Sequence, residues 1–137
     1  MNVVAAVIER EGRILICQRR GGRHALKWEF PGGKIEPGED ARSALARELR
    51  EELRIEATIG ALLHIETFHY ADGPAIHLEF YRVTDFSGEP VNLQFEQIVW
   101  EAPHNLPAYD FLEGDIEFVK KLASAANFPS DSEYLQI

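Results

Sequence analysis

The chain predicts an α/β domain, and three observations carry that reading. β-rich apolar runs recur along it, as in Val3-Val4-Ala5-Ala6-Val7-Ile8, Ile14-Leu15-Ile16-Cys17 and Ile76 to Phe86. Two stretches carry helical periodicity instead, one from about Glu39 to Leu53 or Arg54 and one from about Leu112 to Ala125. Turn chemistry separates these segments, at Pro31-Gly32-Gly33, Pro37-Gly38, Ala71-Asp72-Gly73-Pro74 and Ser87-Gly88-Glu89-Pro90. At 137 residues the chain reads as one domain over 1–137, long enough to bury a proper core.

Composition bounds the function. Apolar residues make up 45% and charged residues 27%, the proportions of a soluble globular protein. A formal net charge of −9 argues against a nucleic-acid polymer or an anionic membrane as partner. It leaves a nucleotide open, because a metal and a few local Arg and Lys neutralise a triphosphate. Cys17 is the only cysteine, so no intrachain disulfide forms, and a reducing cytoplasm fits. The opening apolar run lacks a basic segment and is too short for a signal or a membrane span.

In order, Asn2 to Ile8 and Arg13 to Gln18 form a hairpin around Arg10-Glu11-Gly12. The loop Arg19-Arg20-Gly21-Gly22-Arg23-His24 follows; its arginines suit phosphate oxygens, which guanidinium holds with two parallel bonds, or else form a solvated loop. Trp28-Glu29-Phe30 is a short strand entering the Gly32-Gly33 turn. Asp40 is the better cap for the first helix, and Glu39 fixes the loop before it. Ile55 to His69 reads as one long or two short strands. In the next strand Ile76, Leu78 and Phe80 alternate, forming core or the floor of a base-binding site. His64, His69 and His77 lack a zinc-ligand spacing. Leu93 to Trp100 is a final strand containing Glu96. Ile116, Val119 and Leu122 of the second helix point to the core, and Asp110 before it is a cap or an acceptor for base N–H groups. Phe128 to Ile137 is a polar-leaning tail with no readable role.

The first helix is the unusual element. Glu48, Glu51 and Glu52 share one face, Leu45, Leu49 and Leu53 the next, and Ser43, Arg47, Arg50 and Arg54 a third. Carboxylates roughly 6 Å apart repel by about 3 kcal/mol per pair at an effective dielectric near 20. Arg47 reaches Glu51 at i+4, but one guanidinium does not satisfy three carboxylates. Oxygen-only ligands suit Mg²⁺ or Mn²⁺. The plainer reading is a solvated Glu-rich helix.

The spacing around that helix favours the metal. Gly33, five residues, Glu39, seven residues, Arg47-Glu48-Leu49, one residue, Glu51-Glu52, one residue, Arg54-Ile55 resembles the signature of the Nudix hydrolases. Every defined position matches except the last glycine, here Arg54. The preceding Trp28-Glu29-Phe30-Pro31-Gly32-Gly33-Lys34-Ile35-Glu36 is similar to the MutT-like branch, sanitisers of nucleotide pools. The resemblance implies an α/β/α sandwich with a mixed sheet between helices. It implies Mg²⁺, with Mn²⁺ as a substitute, held by Glu48, Glu51, Glu52 and the Gly33 carbonyl. Glu51, Glu52 or Glu96 would orient or deprotonate the attacking water, and Arg47 would hold the glutamates in place. In this branch a glutamate stands in the loop before a tryptophan; the strict offset from Trp100 lands on Gln94, and Glu96 is favoured on chemistry.

Arg20, Arg23, Lys34, Phe30, Ile76 and Asp110 are the candidate substrate-binding residues, with Arg20 near the phosphate and Asp110 against the base by the resemblance. His24 resembles a histidine near the nucleotide, in a loop one residue shorter here. The implied reaction is hydrolysis of a (d)NTP to a nucleoside monophosphate and pyrophosphate, with 8-oxo-dGTP as one substrate. Cytidine nucleotides, or nucleotide sugars and ADP-ribose, are the alternatives. A nucleotide-sensing module would be expected to lose box carboxylates, and this chain keeps them all. Monomer and homodimer both remain open. A glycine normally supplies a left-handed residue at the helix end, a conformation that costs a non-glycine about 1 kcal/mol or more, so Arg54 is expected to end the helix differently.

Overall fold

The computed structural model describes residues 1–124, so the tail from Phe128 and the last residue of the expected second helix lie outside the described residues. In chain order the strands are β1 (Asn2–Arg10), β2 (Arg13–Gln18), β3 (Trp28–Glu29), β4 (Gly32–Lys34), β5 (Glu56–Thr58), β6 (Leu62–His69), β7 (Ala75–Val83), β8 (Asp85–Ser87) and β9 (Gln97–Glu101). The helices are α1 (Ala41–Leu53) and α2 (Ile116–Ala123), with two short 3₁₀ turns, Pro103–Ala108 and Glu113–Asp115, before the latter.

The main sheet runs β3-β2-β1-β7-β6, with β4 also on β1 and β9 also on β2. β1 and β7 are parallel and the other pairs antiparallel, so the sheet is mixed. Val4, Ala6 and Ile8 of β1 face one core with Leu45, Leu49 and Leu53 of α1. Ala5 and Val7 face the other, with Phe118, Val119 and Leu122 of α2. A strand covered on both faces is apolar throughout, which is why β1 shows no alternation. Glu11 and Gly12 both have positive φ (52° and 76°), the two-residue turn that matches strand twist, and Arg10 pairs with Arg13.

Several expectations are refined. Ile55 to His69 divides into two strands of different sheets, because β5 pairs with β8 apart from the main sheet. α2 begins only after the 3₁₀ turn, so its buried face is Phe118, Val119 and Leu122, and Ile116 is 38% exposed rather than core. Asp40 caps α1 as expected, its Oδ1 accepting from the Ser43 N–H at 2.8 Å.

Arg54 overturns its expectation. It is left-handed after all (φ 57°, ψ 38°), its N–H donating to the Arg50 carbonyl. The following loop offsets the cost of about 1 kcal/mol: the Val91 and Leu93 N–H groups donate to the Leu53 and Glu52 carbonyls, satisfying the helix end. Among the described residues no helix is long and apolar enough to cross a membrane.

Candidate active site

A cavity of about 400 Å³ opens beside the Gly32-Gly33 turn. Its walls include Phe30, Ile76 and Leu78 on the apolar side, Glu29, Glu52, Gln94 and Asp115 as polar groups, and Arg19, Arg23, His24 and Lys34 as basic or titratable ones. The strand alternation at Ile76, Leu78 and Phe80 therefore serves two purposes: Phe80 is fully buried, while Ile76 and Leu78 also line the cavity.

The box is organised by Arg47. Its guanidinium donates to both oxygens of Glu39 (2.7 and 3.0 Å), to Glu48 Oε1 (3.0 Å) and to the Lys34 carbonyl (3.2 Å), with Glu51 at 3.4 Å. Glu39 Oε1 also accepts from the Glu36 N–H, so the turn, the helix and the acidic face are tied through one side chain. Gly33 leaves room for Glu48: a Cβ there would lie 2.5 Å from the Glu48 carboxyl carbon.

Glu52 is 3% exposed, and its carboxylate is held at both oxygens, by the Gly32 N–H on Oε1 and the Gln94 amide on Oε2, each 3.1 Å. Burial first, then the negative charge of Glu48 and Glu29, pushes its carboxyl up to about 9. Burial also raises Glu48.

The expected three-carboxylate cradle needs correction. Glu48 leans toward Arg47 and shares a hydrogen bond with Glu52, while Glu51 turns outward, its side chain 58% exposed. As they stand, no three Asp, Glu, His or Cys side chains among the described residues are grouped to hold a metal ion. The donor set still fits a hard divalent cation. It is all oxygen, two of its carboxyls are raised (Glu48 by burial and Glu51; Glu52 by burial, Glu48 and Glu29), and the glycine beside Glu48 keeps the approach open.

The structure brings Gly33, Glu52, Lys34, Arg23, Phe30 and Ile76 to the cavity wall, with Glu48 and Arg47 directly behind it. Four expected residues lie elsewhere, the outward-turned Glu51 and three more. Arg20 donates to the Phe95 carbonyl at 2.7 Å and does not line the cavity. Asp110 is paired with Lys27 at 2.9 Å, its side chain 73% exposed, and neither caps α2 nor reaches the cavity. Glu96 is exposed, and Gln94 takes the place beside Glu52. The loop register explains this: Asn92 Oδ1 accepts from the Gln94 and Phe95 N–H groups, Phe95 is buried, and the side chain two residues before Glu96 is the one that faces α1. Arg23, for its part, is ion-paired with Asp72 of the β6–β7 turn, and His24 packs on Tyr70 at 5.3 Å.

Two carboxyls escaped the sequence reading. Asp115 is 5% exposed, lines the cavity, and is raised well above the usual carboxylate range by burial and by Glu29. Gly114 places it: a Cβ there would meet Leu78 and the Tyr70 hydroxyl at 3.1 and 3.3 Å, so the turn packs closely against β7. Glu29, with Arg19 at 3.4 Å, is raised to about 7 by burial and acts on both Asp115 and Glu52. The available signal was an acidic residue interrupting an aromatic strand, and another directly ahead of an amphipathic helix.

Comparison with known proteins agrees with this geometry. A NUDIX domain model matches residues 1–122. A CTP pyrophosphohydrolase of Escherichia coli strain K12 is 41% identical over 133 residues, covering 96% of this chain and 98% of its own. An 8-oxo-dGTP diphosphatase of Haemophilus influenzae is 35% identical over 124 residues, covering 89% and 90%. Among solved structures, the E. coli ORF135 protein superposes with a TM-score of 0.81 at 40% identity, over 95% of this chain and 94% of that one. A MutT NUDIX hydrolase from Burkholderia pseudomallei gives 0.80 at 30% identity, over 87% and 95%. Sheet order, box helix and near-full-length similarity lead to one family, and the chain belongs to the Nudix hydrolases.

Proposed function

We propose that the protein is a Mg²⁺-dependent nucleoside triphosphate pyrophosphohydrolase, releasing a nucleoside monophosphate and pyrophosphate. The observation that carries this is a single cavity with Asp115 and apolar side chains on its wall together with Glu52, Gly33 and basic groups. One chamber thus offers a surface for a base and a surface for a phosphate chain.

Glu48, Glu51, Glu52 and the Gly33 carbonyl are the residues that would hold the ion. When bound, it neutralises charge on the phosphates and acidifies water. Arg47 fixes the box without facing substrate, since its donors are already committed to Glu39, Glu48 and the Lys34 carbonyl. Arg23 and Lys34 meet the phosphate chain, Arg23 by exchanging Asp72 for a phosphate oxygen. Glu52 lines the cavity and Glu51 would turn in from its exposed position, and one of these two accepts the proton of the attacking water.

The base reading follows from Asp115. Burial favours the neutral form of this carboxyl, which offers one donor and one acceptor side by side. Cytosine presents the complement, N3 as acceptor and the N4 amino group as donor. 8-Oxoguanine does so too, through O6 and N7–H, whereas guanine offers two acceptors on that edge. Cytidine nucleotides come first, because the relative with the fuller match is a CTP pyrophosphohydrolase; 8-oxo-dGTP is the second reading. Pyrophosphate release from a panel of canonical and oxidised nucleoside triphosphates with Mg²⁺ tests this. Turnover of CTP or dCTP above the rest is expected. Release from no nucleotide returns the chain to a sensing role.

A further inference from the structure

The loop before β9 reaches the box through an amide where a carboxylate was expected. Five hydrogen bonds seat this loop. The Val91 and Leu93 N–H groups donate to the Leu53 and Glu52 carbonyls at 2.9 and 3.1 Å, Asn92 closes a turn on Gln94 and Phe95, and Arg20 donates to the Phe95 carbonyl at 2.7 Å. So fixed, the loop delivers Gln94 Nε2 to Glu52 Oε2 at 3.1 Å, opposite the Gly32 N–H on Oε1.

From this we infer that Gln94 is a positioning residue for the hydrolysis, acting through Glu52. Two donors on two oxygens fix the rotation of a buried carboxylate, which a single donor does not. The choice of an amide matters. A lysine or arginine there would pair with Glu52 and compete with a cation. A glutamate would set a second carboxyl about 3 Å from the first, a repulsion that a shared proton or a cation relieves. Glutamine orients without either effect, and it takes up no proton, so the loop contributes geometry rather than a base. Arg20 then acts one step further out, as a pin on the loop.

This rests on the reading of the box as a divalent-metal site, and the test separates the two. Mn²⁺ binding to nucleotide-free protein, melting with and without Mn²⁺, and steady-state kinetics are measured on wild type, Glu48→Gln, Gln94→Ala and Gln94→Glu. For Gln94→Ala, Mn²⁺ affinity and kcat are expected to fall about tenfold to a hundredfold. KM should stay within about twofold, and the metal-free protein should melt a few degrees lower, for the donor lost by buried Glu52. For Gln94→Glu, Mn²⁺ should bind more tightly than to wild type, widening the gap between metal-free and loaded melting. Wild-type Mn²⁺ affinity and kcat in Gln94→Ala, while Glu48→Gln loses Mn²⁺, would overturn the role of Gln94 alone. Mn²⁺ binding untouched by Glu48→Gln would overturn the metal site and the positioning role together.

Discussion

Replacing Glu52 by Gln should make the metal-free protein more stable and the enzyme inactive. The buried carboxyl titrates at about 9 in the fold against an ordinary 4.5. A raised carboxyl contributes stability that is fully present below the unfolded value and lost as pH rises through the folded one. Wild type should therefore lose stability from about pH 4.5 upward. At about 1.4 kcal/mol per pH unit, the term reaches roughly 5 kcal/mol by pH 8, an upper bound before the chain relaxes. Glutamine keeps the shape and can still accept from the Gly32 N–H, but carries no charge. In EDTA at pH 8, Glu52→Gln should melt above wild type by as much as about 15 °C, and near pH 4 the two should coincide. Excess Mg²⁺ should reverse the order, because only the carboxylate gains from a cation, and kcat should fall by orders of magnitude. A variant less stable than wild type in EDTA at pH 8, or a difference that does not vary with pH, would refute the electrostatic reasoning.

Glu51→Gln should cut turnover by orders of magnitude in the pyrophosphate assay with an unchanged melt, since that side chain is half-exposed and loosely paired. Arg47→Lys gives up the forked bonds to Glu39 and the reach to Glu48, and should cost about 2 kcal/mol in denaturant unfolding. Burial and Glu29 push the Asp115 carboxyl up from its ordinary range, so KM for the preferred nucleotide should rise with pH in wild type. Asp115→Asn should flatten that limb, and Asp115→Leu should lower kcat/KM about tenfold or more. Asp110→Ala should leave the ranking among bases unchanged, because Asp110 pairs with Lys27 outside the cavity.

Local chemistry made much of the fold readable. The β1 strand, the Glu11-Gly12 turn, the Asp40 cap and the three faces of α1 each follow from residues a few positions apart. What escaped the sequence depends on distant chain. Arg54 is held left-handed because the loop through Val91 and Leu93 closes the helix end. Gln94 rather than Glu96 meets Glu52 because Asn92, Arg20 and buried Phe95 set the loop register. Asp115 reaches the cavity only because Gly114 fits against Leu78 and Tyr70. The family signature marked the helix and its carboxylates, while the direction each carboxylate takes is decided by Arg47, a glycine turn and an amide from another loop.

Anomalous scattering from crystals of the protein with Mn²⁺ and a non-hydrolysable nucleoside triphosphate tests the central claim most directly. Manganese beside Glu48, Glu51 and Glu52, with the base against Asp115, is the result expected. Ions bound elsewhere, with the box glutamates still turned to Arg47, would contradict the account.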